Sequence, residues 1–179
     1  MYDKGYQFLL KYFKASTLFK TMFNISPMYS RSTAKIIDVS EDLHIVKIKI
    51  PLSYKNKNYV GTIFGGSLFS ATDPIFMIQL IQILGNNFVV WDKSANINFK
   101  RPANKDAFVT FLFTAEEIEN IKKDAILNGE INIIKHLDIA SNEGIVFAKV
   151  EKTIYIATKE FYKLKRDQKS KKNASTILA

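Results

Sequence analysis

Asn58-Tyr59-Val60-Gly61-Thr62-Ile63-Phe64-Gly65-Gly66-Ser67-Leu68-Phe69-Ser70-Ala71-Thr72-Asp73-Pro74 is the stretch whose reading decides the fold. It opens as a polar loop with three glycines in six residues, Gly61, Gly65 and Gly66. An apolar run then extends from Ile75 to Leu84, broken only by Gln79 and Gln82, and stops at Gly85. A helix over roughly 65 to 84 that is apolar nearly all round is a buried helix, not a surface one. Gly65 and Gly66 allow close backbone approach, and a helix N-terminus offers unpaired N–H groups to an anion or a polarised carbonyl. Asp73 is the only acid between Asp42 and Asp92. A carboxylate on a buried helix is costly unless it has partners or a task. Pro74 removes one backbone hydrogen bond and is expected to kink or tighten the helix beside it.

Outward from this stretch the pattern is one of strands. Residues 29 to 39 and 43 to 51 read as two strands joined by Ser40-Glu41-Asp42, the second with Val46, Ile48 and Ile50 on one side and Lys47 and Lys49 on the other. After Gly85-Asn86-Asn87, Val89, Trp91, Lys93, Ala95, Ile97 and Phe99 share one face of a long strand. Trp91 on that face is expected in the core. Ala107, Val109, Phe111, Phe113 and Ala115 alternate in the same way after a turn at 102–106. Residues 116 to 128 fit either a short helix or a twisted strand end. Ile131, Ile133, Leu137 and Ile139 mark another strand. A hairpin turn at Ser141-Asn142-Glu143-Gly144 leads to a last strand from Val146 to about Ala157. Five to six antiparallel strands with one long buried helix after the second strand imply an α+β fold, a single curled sheet around that helix. Before it, Phe8, Tyr12, Ala15, Phe19 and Met22 form one stripe of an amphipathic helix over about 5 to 23. That helix packs over the domain edge, or its aromatics line an acyl pocket or a membrane contact. Ser26-Pro27 ends it.

Bulk properties narrow the class. A chain of 179 residues with 47% hydrophobic and 24% charged residues makes one folded domain. The absence of cysteine excludes disulfides and thiolate chemistry, and His44 and His136 alone give no metal cluster. Lys11, Lys14 and Lys20 interrupt the N-terminal region, so it makes a poor signal peptide. No stretch reads as a membrane span, and a cytoplasmic location is the default expectation. Seven Lys or Arg lie between residues 159 and 172 against Glu160 and Asp167, so the tail carries over half the net charge of +9. Such a balance suits coenzyme A, nucleic acid or an anionic membrane. The expected organisation is an N-terminal helix over 1–24, the main domain over 25–157, and a basic, flexible tail over 158–179.

The run Gly61-Thr62-x-Phe64-Gly65-Gly66-Ser67-Leu68, followed by Asp73-Pro74, resembles the hotdog-fold acyl-CoA thioesterase superfamily. It is most similar to a thioesterase-like branch described as a domain of unknown function. Asn56-Lys57-Asn58, Val90-Trp91-Asp92-Lys93-Ser94-Ala95 and Phe99-Lys100-Arg101-Pro102 extend the resemblance, which covers about residues 25 to 157. It implies a hotdog fold, a homodimer with tetramers open, and a thioester of coenzyme A or acyl carrier protein as substrate. Coenzyme A would enter only as part of that substrate, with no separate cofactor and no metal.

Thioester hydrolysis needs donors on the carbonyl and a base or nucleophile opposite. Gly65 and Gly66 offer backbone N–H groups, and Asp73 offers the base or nucleophile. Seven residues of helix, about 10 Å at the usual rise, separate Gly66 from Asp73. The resemblance implies that the acid of one subunit faces the glycine turn of the other. Asp73 otherwise reads as a buried acid accepting from backbone groups freed by Pro74. Asn58 is a hydrogen-bonding partner for the site or a turn former. Gly61, Thr62, Phe64, Lys93, Lys100 and Arg101 are the candidate substrate contacts, the three cations for pantetheine and phosphates; each cation otherwise reads as solvated surface. Related thioesterases carry histidines where this chain has Tyr59 and Phe64, so no imidazole is at hand as a proton shuttle. Ser67 and Ser70 have no candidate base. Three functions follow in order: a thioesterase, a non-catalytic acyl-binding module, and an anionic-membrane or nucleic-acid binder acting through the basic tail.

Overall fold

A computed structural model describes residues 9–177. Its elements run α1 (Ala15–Ile25), α2 (Pro27–Ser30), β1 (Lys35–Val39), β2 (Ile45–Ile50), α3 (Gly65–Thr72), α4 (Ile75–Leu84), β3 (Phe88–Phe99), β4 (Ala107–Leu112), α5 (Ala115–Asn128), β5 (Glu130–Ala140), β6 (Val146–Thr158) and α6 (Lys159–Ile177). The six strands form one antiparallel sheet in the order β1-β2-β4-β5-β6-β3. The sheet curls around the α3–α4 pair, the arrangement that the hotdog resemblance implies. Ile75, Phe76 and Leu80 of α4 pack with Val46, Ile48, Phe111, Ile154 and Ile156 of the sheet's inner face. Phe76 meets Phe111 and Phe113 edge-on, at centroid distances of 4.9 and 5.3 Å, the favoured geometry for aromatic pairs.

The central helix is two helices. Pro74 has no N–H, and its ring disfavours a helical hydrogen bond to the Ser70 carbonyl. The chain therefore breaks at Asp73-Pro74, with α3 ending at Thr72 and α4 starting at Ile75. Together, Gly65–Asn87 is long and apolar enough to cross a bilayer by length and composition, contrary to the sequence expectation. Here these residues wrap into the domain core instead, where Leu68, Ala71, Ile75, Phe76, Gln79 and Leu80 are all buried. Gln79 ties α4 to the β1–β2 turn by donating to the Leu43 and His44 carbonyls at 2.6 and 3.0 Å.

The long strand β3 departs from simple alternation. Its register with β6 shifts between Asp92 and Ser94, so Lys93 is the extra residue of a bulge. Val90 and Asp92 pair with the buried Ile156 and Ile154; beyond the bulge Ala95, Ile97 and Phe99 pair with Lys152, Val150 and Ala148. The single stripe expected from Val89 to Phe99 is thus split, and Val89, Trp91 and Lys93 fall on the opposite face. Trp91 is 54% exposed, not in the core.

Three further segments differ from the sequence reading. Of the amphipathic helix expected over about 5 to 23, the described residues show a turn at 10–12, an extended Lys14 (φ −63°, ψ 144°) that pairs with Glu41, and then α1 from Ala15. Phe8 lies outside the described residues, and Tyr12 is exposed. Residues 29–34 are not strand: Pro27 starts the short helix α2, whose Tyr29 is buried and donates to the Ala71 carbonyl at 3.1 Å. The ambiguous stretch 116–128 is a full helix, α5, opened by a capping box between Thr114 and Glu117. Lys135, inward on β5, pairs with Glu117 at 2.7 Å and sits 4.5 Å from the Phe113 ring centroid, which fixes α5 to the sheet. After β6 the chain continues as helix α6 where a frayed tail was expected, and Lys165 pairs with Glu130 at 2.5 Å.

Candidate functional site

The loop before α3 is built by asparagines. Asn56 is buried and donates to Thr33 Oγ1 at 2.6 Å and to the Pro51 carbonyl at 2.8 Å, while its own carbonyl accepts from Phe64 N–H. Asn58 accepts from the Val60 and Thr62 N–H groups and donates to Thr62 Oγ1 at 2.9 Å. Asn58 and Thr62 are therefore engaged in closing the turn, in which Gly61 takes a φ of +87°. Tyr59 at the tip is fully exposed.

The loop delivers Gly65 and Gly66 to the N-terminus of α3, whose first turn has no capping side chain. Both glycines lie under aromatic rings. A Cβ on Gly65 would meet Phe99 Cζ at 2.8 Å, and one on Gly66 would meet the Phe64 ring at 2.3 Å. A side chain at either position would have to displace the ring beside it. Phe64 and Phe99 are themselves more than half exposed, so the glycine turn lies beside two aromatic rings at the surface.

At the other end of α3, Asp73 meets a residue that the sequence reading passed over. Lys152 points inward from β6 between Val150 and Ile154, opposite the small Ala95, and its side chain is 0% exposed. Its ammonium donates to the Asp73 carbonyl, to Asp73 Oδ1 at 3.1 Å and to Asp92 Oδ2 at 2.8 Å. An ammonium has three donors, and all three are used. The helix break explains the first contact, since it leaves the Asp73 carbonyl without a helical donor. The carboxylate does not accept from freed backbone N–H groups, as one reading had it; its partner is Lys152.

Asp73 is also less buried than an acid on an enclosed helix would be. Its side chain is 53% exposed, and Oδ2 has no partner among the described residues. Asp92 is the more enclosed acid at 22% exposure, with Oδ1 buried and unpartnered. Burial pushes the Asp92 carboxyl above its ordinary range; the nearby Asp73 charge adds to this and Lys152 opposes it. Asp92 and Lys152 are the site residues that sequence reasoning missed. The signal was available as a lysine at an inward position of the Val150, Lys152, Ile154, Ile156 alternation.

The candidate phosphate contacts are not one cluster. Lys93 sits on the bulge beside Asn132 Oδ1 at 3.3 Å, whereas Lys100 and Arg101 follow the far end of β3, their N–H groups bonded to the Phe147 carbonyl. Seven strand positions separate Lys93 from Lys100, about 23 Å. Ser67 and Ser70 have no base beside them; Ser70 donates to the Ser67 carbonyl.

An apolar groove of about 710 Å³ opens between α1, α4 and the start of β3, lined by Phe19, Met22, Phe23, Met28, Ile78, Ile81, Phe88 and Trp91, with Lys159 at its side. It falls within the size range of small-molecule sites. The N-terminal helix thus both packs on the domain, through Leu18, Phe19 and Phe23, and lines an apolar pocket.

Known structures share this fold. A Pseudomonas aeruginosa protein described as a probable thioesterase superposes with a TM-score of 0.71 at 20% identity, over 79% of this chain and 95% of its own. A Haemophilus influenzae thioesterase gives 0.57 at 13% identity, over 78% and 88%. A Staphylococcus aureus thioesterase mutant gives 0.53 at 15% identity, over 74% and 99%. At these identities the likeness shows the fold, a hotdog. No curated protein matches the sequence. The characteristic sequence of one family does match, over residues 15–156, and the chain belongs to it: the family described as Domain of unknown function (DUF4442).

Proposed function

We propose that the protein hydrolyses an acyl thioester of coenzyme A or of an acyl carrier protein, in the cytoplasm. The observation that carries the reading is Asp73: a half-exposed carboxylate pinned on Oδ1 by a buried ammonium, with Oδ2 unpartnered among the described residues. A base held in this way can take a proton from water as the water oxygen forms the new bond to the thioester carbon. Collapse then breaks the C–S bond, and the proton passes from Asp73 to the departing sulfur, giving a carboxylic acid and a thiol. The apolar groove beside α4 offers room for the acyl chain. Lys100 and Arg101 are candidates for the phosphates, with Lys93 set apart from them.

Donors for the developing oxyanion would come from Gly65 and Gly66 of a second copy, because about 10 Å of helix separates them from Asp73 in one chain. The edge position of β3 supports a dimer. This twelve-residue strand has β6 on one side and, among the described residues, no strand on the other, and so long an edge invites a second copy. Pairing of dimers into tetramers stays open in this reading.

One observation favours a second reading, a non-catalytic acyl-binding module. The Phe64 and Phe99 rings crowd the glycine turn, and no histidine stands in the loop. Turnover on a panel from acetyl- to long-chain acyl-CoA, run beside binding of the matching non-hydrolysable thioethers, separates the two. Hydrolysis of at least one thioester, increased by Phe64→His, is the expected result. Binding with no turnover on any chain length would overturn the hydrolase reading and leave the binding module.

A further inference from the structure

Lys152 is an unusual residue to find pointing inward from the middle of a sheet. The positions on either side of it in the same inward row, Val150 and Ile154, are buried and apolar. A methionine or leucine would satisfy the packing there without any charge to desolvate. An ammonium can be kept at this depth only if all its donors are met, and here they are met by two groups of Asp73 and one of Asp92. The Asp73 carbonyl alone would suffice to staple the helix break to β6. The additional contact to Oδ1 does something a staple does not require: it fixes the direction of the carboxylate.

We infer that Lys152 is a positioning residue for Asp73, and that Asp92 is the counter-charge that allows a lysine to be held there. The inference rests on the reading of Asp73 as the base. With Oδ1 gripped from the core side, the carboxylate cannot swing freely into water, and Oδ2 is presented in one direction. Asp92 contributes from behind. Its Oδ2 takes the third ammonium proton, and its Oδ1 remains buried without a partner. A carboxylate left half satisfied in this way serves its neighbour's charge more than its own solvation.

The test is made on the full-length protein with Lys152→Met combined with Asp92→Asn, which removes one positive and one negative charge and leaves no buried ion behind. Lys152→Gln with Asp92→Asn is the second variant, kept polar in case the first does not fold, and is read in the same way. The expected result is a fall in kcat of about 10- to 100-fold, the scale of a slightly misplaced group. KM and the affinity for a non-hydrolysable acyl-CoA thioether should stay within about twofold. A merely structural staple would lower the melting temperature and leave kcat intact. If kcat is unchanged in the double variant while Asp73→Asn abolishes turnover, the positioning role is overturned and the base reading stands. If Asp73→Asn leaves turnover intact, or wild type hydrolyses nothing, the base reading fails, and a crystal structure of the double variant decides the positioning claim. An Asp73 carboxylate in its original rotamer overturns that claim, and a displaced one supports it.

Discussion

Stripping the buried ammonium of its acids should cost far more stability than removing the ammonium itself. In Asp73→Ala/Asp92→Ala, Lys152, whose side chain is 0% exposed in the wild type, keeps one acceptor of three, the backbone carbonyl at position 73. Removing the partner of a buried charge costs about 3–5 kcal/mol. For a chain of this size, about 2–4 °C of melting temperature is lost per kcal/mol, so the drop should be roughly 6–20 °C. Lys152→Met leaves two acids, but Asp73 is already half exposed and can turn to water, and Asp92, whose carboxyl burial already pushes up, can take a proton once the ammonium is gone. Its cost should lie near the ordinary value for a point substitution, about 1–2 kcal/mol. Thermal and urea unfolding followed by circular dichroism, at one protein concentration throughout, measures both. If Lys152→Met proves the more destabilising variant, or the acid pair costs less than about 1 kcal/mol, the description of Lys152 as a fully enclosed cation is refuted.

Two further outcomes follow from single residues. Gly129 ends α5 with a φ of +78°, and a Cβ there would meet the Phe161 ring at 2.3 Å, so Gly129→Ala should lose about 1–2 kcal/mol in urea unfolding and loosen α6; an unchanged midpoint would refute the contact. For Asp92, a folded pKa raised above the unfolded one means stability that is present at low pH and lost as pH rises through the folded value. Asp92→Asn, a stand-in for the neutral form, escapes that loss, so the melting temperature of the variant minus that of wild type should grow from about pH 4 upward. A difference that is flat or shrinks with pH would show that burial of Asp92 is not what moves its carboxyl.

Much of the fold was legible because the strands obey their period. Val46, Ile48 and Ile50 of β2 and Val109 and Phe111 of β4 face the core as their alternation requires. A disturbance at Pro74 was legible too, since one residue type removes one donor, but as a kink or tightening of one helix and not as a division into two. A bulge is not written in the alternation, and so the stripe from Val89 to Phe99 looked continuous when Lys93 divides it. Helix α5 was hidden behind weak amphipathicity, although Thr114-x-x-Glu117 is a capping signature before an apolar-periodic run. Residues 29–34 contain β-compatible side chains, but Pro27 and the buried Tyr29 hydroxyl bond settle them as a turn of helix and a loop.

The site was half legible. Asp73 stood out as a lone acid in an apolar run, while its degree of exposure depends on packing that no local pattern encodes. Asp92 and Lys152 are 60 residues apart in sequence and become neighbours only through β3–β6 pairing. The candidate cations Lys93, Lys100 and Arg101 looked like one group along the chain, yet an extended strand spreads them out. Asn58 resolves as a turn former because the loop consumes its amide.

Hydrolysis by Asp73→Asn measures the central claim most directly. The substitution keeps the size of the side chain and an oxygen for Lys152, and removes the negative charge. With the best thioester from the panel, kcat should fall by about two to four orders of magnitude, the span for loss of a general base. The affinity for the corresponding non-hydrolysable thioether should be unchanged. Turnover at the wild-type rate by a folded Asp73→Asn protein would contradict the account.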